Sequence, residues 1–311
     1  MSKHPISLII DDGGPVNMFH FHALGQKHDM IVPPAFALHF GKICRSLGVK
    51  GKFSVIPCPA GLGRLDQPDQ VCGVEADHIE AFVEIAKEYI CPNFSITPEI
   101  LTHFLAWDPE TRRNTHKCED EFVSTASAEE IAAYVSLSVE ILHNLGLNPQ
   151  GLSSPWATGI DNEENYAKGI GMAFKRTLNM DKCFYFAHSR DALKHPKIMF
   201  DTPETGKVVS IPNNCPDPFW GTQRPASLAQ ARQNAKDAID ALISEDGRTG
   251  KLRELFEEGA PLIMITHWQS LFSDGRGVGI EGFEYLINRI NRIFGKDTEW
   301  MTFAELAELA K

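Results

Sequence analysis

Along most of the chain, short runs of β-branched and aromatic residues alternate with stretches whose apolar residues recur at helical spacing. This alternation constrains the fold most strongly, because strand–helix–strand is the repeating unit of a parallel sheet. The pattern predicts strands over 6–10, 52–56, 151–153, 183–187, 198–200, 208–211 and 262–266. It predicts helices over 35–47 (stopped by Gly48), 76–89, 128–145, 163–174, 228–243, 252–258 and 283–293. Strands buried on both faces need helices outside, as a barrel or a doubly wound sheet. At 311 residues the chain is long for one domain, yet α/β barrels reach this length as single units. No repeat, low-complexity tract or linker-like stretch divides it, so one domain over 1–311 is expected.

Three connections in this pattern are long: from Asp11 to the helix at 35, after Pro57, and from Trp107 to Ser127. Long loops in a compact domain often carry function, so these three are expected to rim a site.

Composition removes several function classes. The formal charge of -11 argues against nucleic acid, whose binding needs Lys and Arg to neutralise phosphates. No stretch approaches the roughly 18 consecutive apolar residues of a membrane span. The apolar run before Asp11 is too short for a signal peptide. Seven cysteines, at 44, 58, 72, 91, 118, 183 and 215, form no C-x-x-C pair. Their odd number and scatter predict reduced thiols and a cytoplasmic location rather than a disulfide framework.

Asp11-Asp12-Gly13-Gly14-Pro15 is the sharpest local signal. Two carboxylates directly after a buried strand sit where α/β enzymes bind ligands. They point in different directions, so one can bind a metal while the other takes a proton from water. Alone, the segment also reads as a polar turn. His103, with Asp108 five residues on, is a candidate ligand pair. His267 closes the apolar run 262–266, where an imidazole can act as general acid or base. Pro155 and Trp156, with Trp107, Trp220 and Trp268, are candidates for an apolar wall against a ring. His20, His22 and His116 lie in long loops and are further candidate ligands.

In order, these pieces resemble the polysaccharide deacetylase superfamily: Ile9-Ile10-Asp11-Asp12-Gly13, the strand at 52–56, Glu99-Ile100 before His103, Ser153-Ser154-Pro155-Trp156 and a late strand ending in His267. The resemblance runs from about residue 6 to Trp300-Met-Thr-Phe-Ala-Glu-Leu. It implies an incomplete (β/α)7 barrel with long loop insertions. It further implies Asp11 as general base, Asp12 and His103 as metal ligands, His267 as general acid, and Pro155, Trp156 and Trp268 beside the substrate. Two departures stand out. Asp108-Pro109 occupies the place of the second metal histidine, with one extra residue of spacing, and the arginine of the Arg-x-Pro motif is replaced by Ser153. An Asp/His/Asp set is harder than Asp/His/His, which favours zinc, manganese or magnesium over copper. His20, His22 or His116 are the alternatives to Asp108.

The expected activity is therefore metal-dependent hydrolysis of an amide C–N or ester bond in a small or oligosaccharide substrate. A glycoside hydrolase on a related barrel, with two carboxylates flanking the bond, is one alternative. A non-catalytic carbohydrate-binding protein, favoured by the two departures, is the other.

Overall fold

The structure is a computed structural model that describes residues 3–23, 28–108, 110–186, 194–223 and 227–311. Its strands are β1 (His4–Asp11), β2 (Gly51–Val55), β3 (Phe94–Pro98), β4 (Leu105–Asp108), β5 (Arg113–Cys118), β6 (Gly151–Ser153), β7 (Lys182–Phe186), β8 (Lys197–Thr202), β9 (Gly206–Ser210), β10 (Leu262–His267) and β11 (Thr298–Trp300). The helices are α1 (Phe19–His22), α2 (Pro34–Leu47), α3 (Ala76–Ile85), α4 (Glu119–Thr125), α5 (Ala128–Asn144), α6 (Glu163–Leu178), α7 (Leu228–Leu242), α8 (Lys251–Glu257), α9 (Trp268–Phe272), α10 (Val278–Phe294) and α11 (Phe303–Ala307).

One sheet has the order β10-β1-β2-β3, with β11 also paired to β1; a second has the order β6-β7-β9-β8. Every pairing in them is parallel except the β8–β9 hairpin. The sheets meet at a parallel bridge between Glu99 and Ser153, supported by Gln150 N–H donating to Ile96 O (2.9 Å). At the opposite edge, the Asn214 backbone N–H donates to Ile263 O (3.1 Å) and its Oδ1 accepts from Ile263 N–H (3.0 Å). The ladders thus form two parallel sheets rather than a closed barrel. The break follows from chain length: β6 is three residues long, so little edge remains to pair with β3.

Alternation along β1 assigns its two faces. Ile6, Leu8 and Ile10 pack in one cluster with α2, α3, α7 and α10 residues such as Phe40, Phe82 and Phe283. Ile9 faces the other way, into a cluster with Phe184, Phe186, Ile263 and Phe303. α11 lies across this second face near the strand starts, with Ala304 N–H donating to Ser95 Oγ (3.0 Å). A third cluster lies between α5, α6 and β7.

Most predicted helices match within a residue or two, including the stop at Gly48, which takes a φ of 70°. However, α6 runs four residues past the predicted 163–174, and α10 begins five residues before the predicted 283–293. The segment 76–89 is α-helical to Ile85 and continues as a wider turn to Ile90. The last residue of the predicted strand 183–187, Ala187, lies outside the described residues, as does Pro109. The stretch from Trp107 to Ser127 is not a bare loop: it holds part of the β4–β5 hairpin and α4. Among the described residues, no helix is long and apolar enough to cross a membrane.

Candidate functional site

The strands deliver polar side chains to one rim of the sheets, at their C-terminal ends. Asp11 ends β1 and Asp12 follows it; Glu99 follows β3; Ser153 ends β6; His267 ends β10. Asp12 turns the chain at a φ of 60°, and Gly13 then passes so close to β2 that a Cβ there would meet Ser54 O at 2.1 Å. Ile100 (φ 37°), His103 (φ 51°) and Trp156 (φ 50°) also hold left-handed conformations. Positive φ is costly for such residues, above all β-branched Ile100, and four of the chain's ten described non-glycine examples lie here.

At that place Asp12, Glu99 and His103, all buried, bring one potential ligand atom each within 4.8 Å of one another. Asp12 Oδ1 and His103 Nδ1 form a buried ion pair at 2.9 Å, and neither atom has any other polar partner among the described residues. A carboxylate and an imidazole buried this close, with no other partner, suit a shared cation, either a proton or a metal ion. Around them, Glu99 Oε2 accepts from Asp12 N–H (2.7 Å) and Ser54 Oγ–H (2.6 Å), and Gln269 Nε2 donates to Asp12 Oδ2.

The electrostatics point the same way. Burial, with the charges of Asp12 and Asp11 adding to it, pushes Glu99 up to about 8. For His103, burial acts downward, but Asp12 and then Glu99 carry its pKa up to about 9. Burial pushes Asp12 up, yet His103 and His267 hold it far below the usual carboxylate range. Without a metal, a proton on His103 thus serves as the cation this carboxylate group needs.

Two further ion pairs flank the group. Asp11 Oδ1 accepts from Lys52 Nζ, which also donates to Ser153 Oγ; Ser153 Oγ in turn lies 2.9 Å from Thr97 Oγ1. Lys52 is fully buried, with the Phe186 ring 5.0 Å from its Nζ. On the other side, His267 Nδ1–H donates to Asp217 Oδ2 (2.8 Å). Asp217 is fixed in turn by Thr266 Oγ–H (3.0 Å), Ser270 Oγ–H (2.9 Å) and Phe219 N–H (2.7 Å). The mobile proton of His267 then belongs on Nε2. Burial lowers its pKa, but the Asp217 hydrogen bond and the Asp12 charge raise it to about 9.

In the metal-free protein, then, imidazole NMR titration of His267 gives a pKa well above the ordinary 6.5 or so. Asp217→Asn removes the larger raising influence and leaves burial, so the pKa falls. The sign also fixes stability: the pair's contribution is full below the unfolded pKa and is lost as pH rises through about 9. An unshifted His267 in the variant contradicts this account of the pair.

Other expected residues stand elsewhere. Asp108 is not in the metal-ligand group: it lies on the β4–β5 hairpin, where its Oδ1 accepts from Glu110 N–H (2.9 Å) and Thr111 N–H (3.3 Å). Glu99, the residue next to Ile100, completes the group of candidate ligands with Asp12 and His103 instead. His116 is exposed on β5, and exposed His20 donates from Nδ1 to His28 O (2.6 Å). His22 comes nearer, its Nε2–H donating to His103 O (2.9 Å) and its ring 4.8 Å from that of His103. Burial and then the His103 charge lower its pKa to about 4, so it is neutral. Pro155 is buried, while Trp156 is 39% exposed with its ring 4.9 Å from His103.

Trp268 is a core residue, not a wall of the site. Its indole N–H donates to Gly14 O (3.0 Å), and its ring packs on Phe36, Phe40 and Phe53. Trp268→Ala accordingly costs about 3–5 kcal/mol of stability in chemical denaturation; a loss under about 1 kcal/mol contradicts the core assignment. Exposed Trp220, 4.8 Å from the His267 ring, holds the rim position instead.

Sequence reasoning missed Lys52, Glu99 as a candidate ligand, Asp217 and Gln269. Lys52 did carry a signal, being a charged residue inside a buried strand. Asp217, in Cys215-Pro216-Asp217-Pro218, carried none.

No known family's sequence profile matches the chain, and no curated protein matches it in sequence. Among solved structures, the crystal structure of PuuE allantoinase is similar at 13% identity and a TM-score of 0.48, over 98% of this chain and 88% of that one.

Proposed function

We propose that this chain is a metal-dependent hydrolase, a divergent member of the polysaccharide deacetylase superfamily, cleaving an amide C–N or ester bond. The supporting observation is the buried Asp12–Glu99–His103 group flanked by the Asp11–Lys52 and His267–Asp217 pairs. In this reading the two sheets are arcs of one incomplete (β/α)7 barrel. The whole chain is one catalytic unit, since residues from Asp11 to His267 meet at one rim.

Asp12, Glu99 and His103 would hold a divalent cation, zinc or alternatively manganese or magnesium, as their two carboxylates and one imidazole suit. Bound there, the cation would activate water and polarise the scissile carbonyl. Gln269 holds the second oxygen of Asp12, leaving Oδ1 for the metal. Asp11, fixed by Lys52, takes the proton of the attacking water. His267, charged at neutral pH and fixed by Asp217, gives its Nε2 proton to the leaving nitrogen or oxygen as the bond breaks. Solvent then returns the proton from Asp11 to His267. The cation beside Asp11 comes from β2 and reaches Ser153, where the family motif has arginine. That placement favours catalysis over the binding-protein reading.

The substrate we infer is a small amide or acetylated sugar in the cytoplasm, its ring against Trp156. Metal-loaded protein should hydrolyse at least one member of a panel of N-acetyl sugars, small amides and esters, and a chelator should stop it. Glycosidic cleavage unaffected by chelator, with no amide or ester hydrolysis, overturns the proposal in favour of a glycoside hydrolase.

A further inference from the structure

The segment between β3 and α5 adds no strand to the two parallel sheets, yet it contains a fully buried carboxylate, Glu119, at the first position of α4. Glu119 Oε1 accepts from Leu101 N–H (3.1 Å), Thr102 N–H (2.8 Å) and Tyr134 Oη–H (2.8 Å). Its Oε2 accepts from His103 N–H (2.8 Å). Three consecutive backbone N–H groups therefore converge on one anion, a concave arrangement known to bind negative charge. The chain that makes it is bent at both ends, by the positive φ of Ile100 and of His103. Backbone in these regions persists only where its surroundings over-determine it.

From this geometry we infer that Glu119 is a positioning residue: its carboxylate organises the loop 101–103 so that His103 presents its ring to Asp12 and Glu99. The inference rests on the metal-centre reading for its functional meaning, but its structural content is independent of metal. Tyr134 extends the brace. Its hydroxyl oxygen also accepts from Trp107 N–H (2.9 Å), tying the β4–β5 hairpin to the same anion. Phe104 O accepts from Glu119 N–H (3.1 Å), locking the other end of the loop to α4. The long insertion after β3 thus acts as a scaffold for one metal ligand.

Glu119→Gln is the discriminating change, being nearly isosteric. Whichever way the amide is turned, its NH2 faces a backbone N–H, either that of His103 or those of Leu101 and Thr102. Zinc affinity, measured by competition with a chromophoric chelator, should fall roughly 10- to 100-fold, as for other residues that orient a metal ligand. The absorption spectrum of the cobalt-substituted protein should change as well. Ile287→Ala, a core truncation in α10, controls for lost stability and should leave both readouts as in the wild type. In metal-free protein, amide exchange at 101–103 should quicken while that of β1 and β10 stays unchanged. If Glu119→Gln fails to fold, Tyr134→Phe, which loosens the same carboxylate, should weaken zinc several-fold. Zinc binding within about twofold of wild type in the folded Glu119→Gln variant overturns the inference. If the wild type binds none of zinc, manganese and magnesium, the metal-centre reading falls instead, and unchanged exchange at His103 then overturns the positioning role separately.

Discussion

Exchanging Lys52 for methionine lowers the free energy of unfolding by about 3–5 kcal/mol, the usual loss when one partner of a buried ion pair is removed. Lys52 and Asp11 are both fully buried, and no bulk water is at hand to take over from the ammonium. The methionine stem fills the same space against Phe186, so the loss is electrostatic rather than a cavity. Lys52→Met/Asp11→Leu should recover much of it, because deleting both charges also removes the cost of desolvating them. Urea denaturation of the two variants measures this directly. A single variant within about 1 kcal/mol of wild type contradicts a buried ion pair at the base of the site.

Asp11→Asn, by contrast, should keep the metal and lose turnover by about 10²–10⁴-fold, the usual contribution of a positioned general base. Its amide can still accept from Lys52 but cannot take a proton from water. Asp11 is also outside the group of candidate metal ligands, Asp12, Glu99 and His103. Measuring kcat and metal content on the same preparation separates the two adjacent aspartates. Loss of metal in Asp11→Asn contradicts this division of roles, and retained turnover contradicts the base.

The sheet strands that read clearly in the sequence were those whose apolar residues sit on both faces, such as β1 and β10. β3 alternates Phe94 and Ile96 with Ser95 and Thr97, which is a strand pattern. It was hidden because it is only five residues long and has proline close on both sides, at Pro92 and Pro98; Ser95 and Thr97 are nonetheless buried. The hairpin and α4 were hidden because β5 is polar and half of its residues are exposed, with no apolar period to mark it. Within the site, Asp11, Asp12, His103 and His267 were legible because each sits at or just beyond the end of an apolar run. Glu99 and Asp217 act through contacts across long sequence separations, Glu99 reaching Asp12 and Asp217 reaching His267. Asp108 misled because its spacing from His103 suited a ligand pair, whereas β4 carries it onto a hairpin where backbone N–H groups claim it. Trp268 misled because position next to His267 says nothing about direction: successive residues at a strand's end point opposite ways, and the indole turns into the core.

The most direct test of the metal centre is elemental analysis of the purified protein beside Asp12→Ala and His103→Ala, each after equilibration with zinc, manganese or magnesium and desalting. The account predicts close to one divalent ion per wild-type chain and almost none in either variant. A wild-type chain that retains no ion, or an Asp12→Ala chain that retains as much as the wild type, contradicts it.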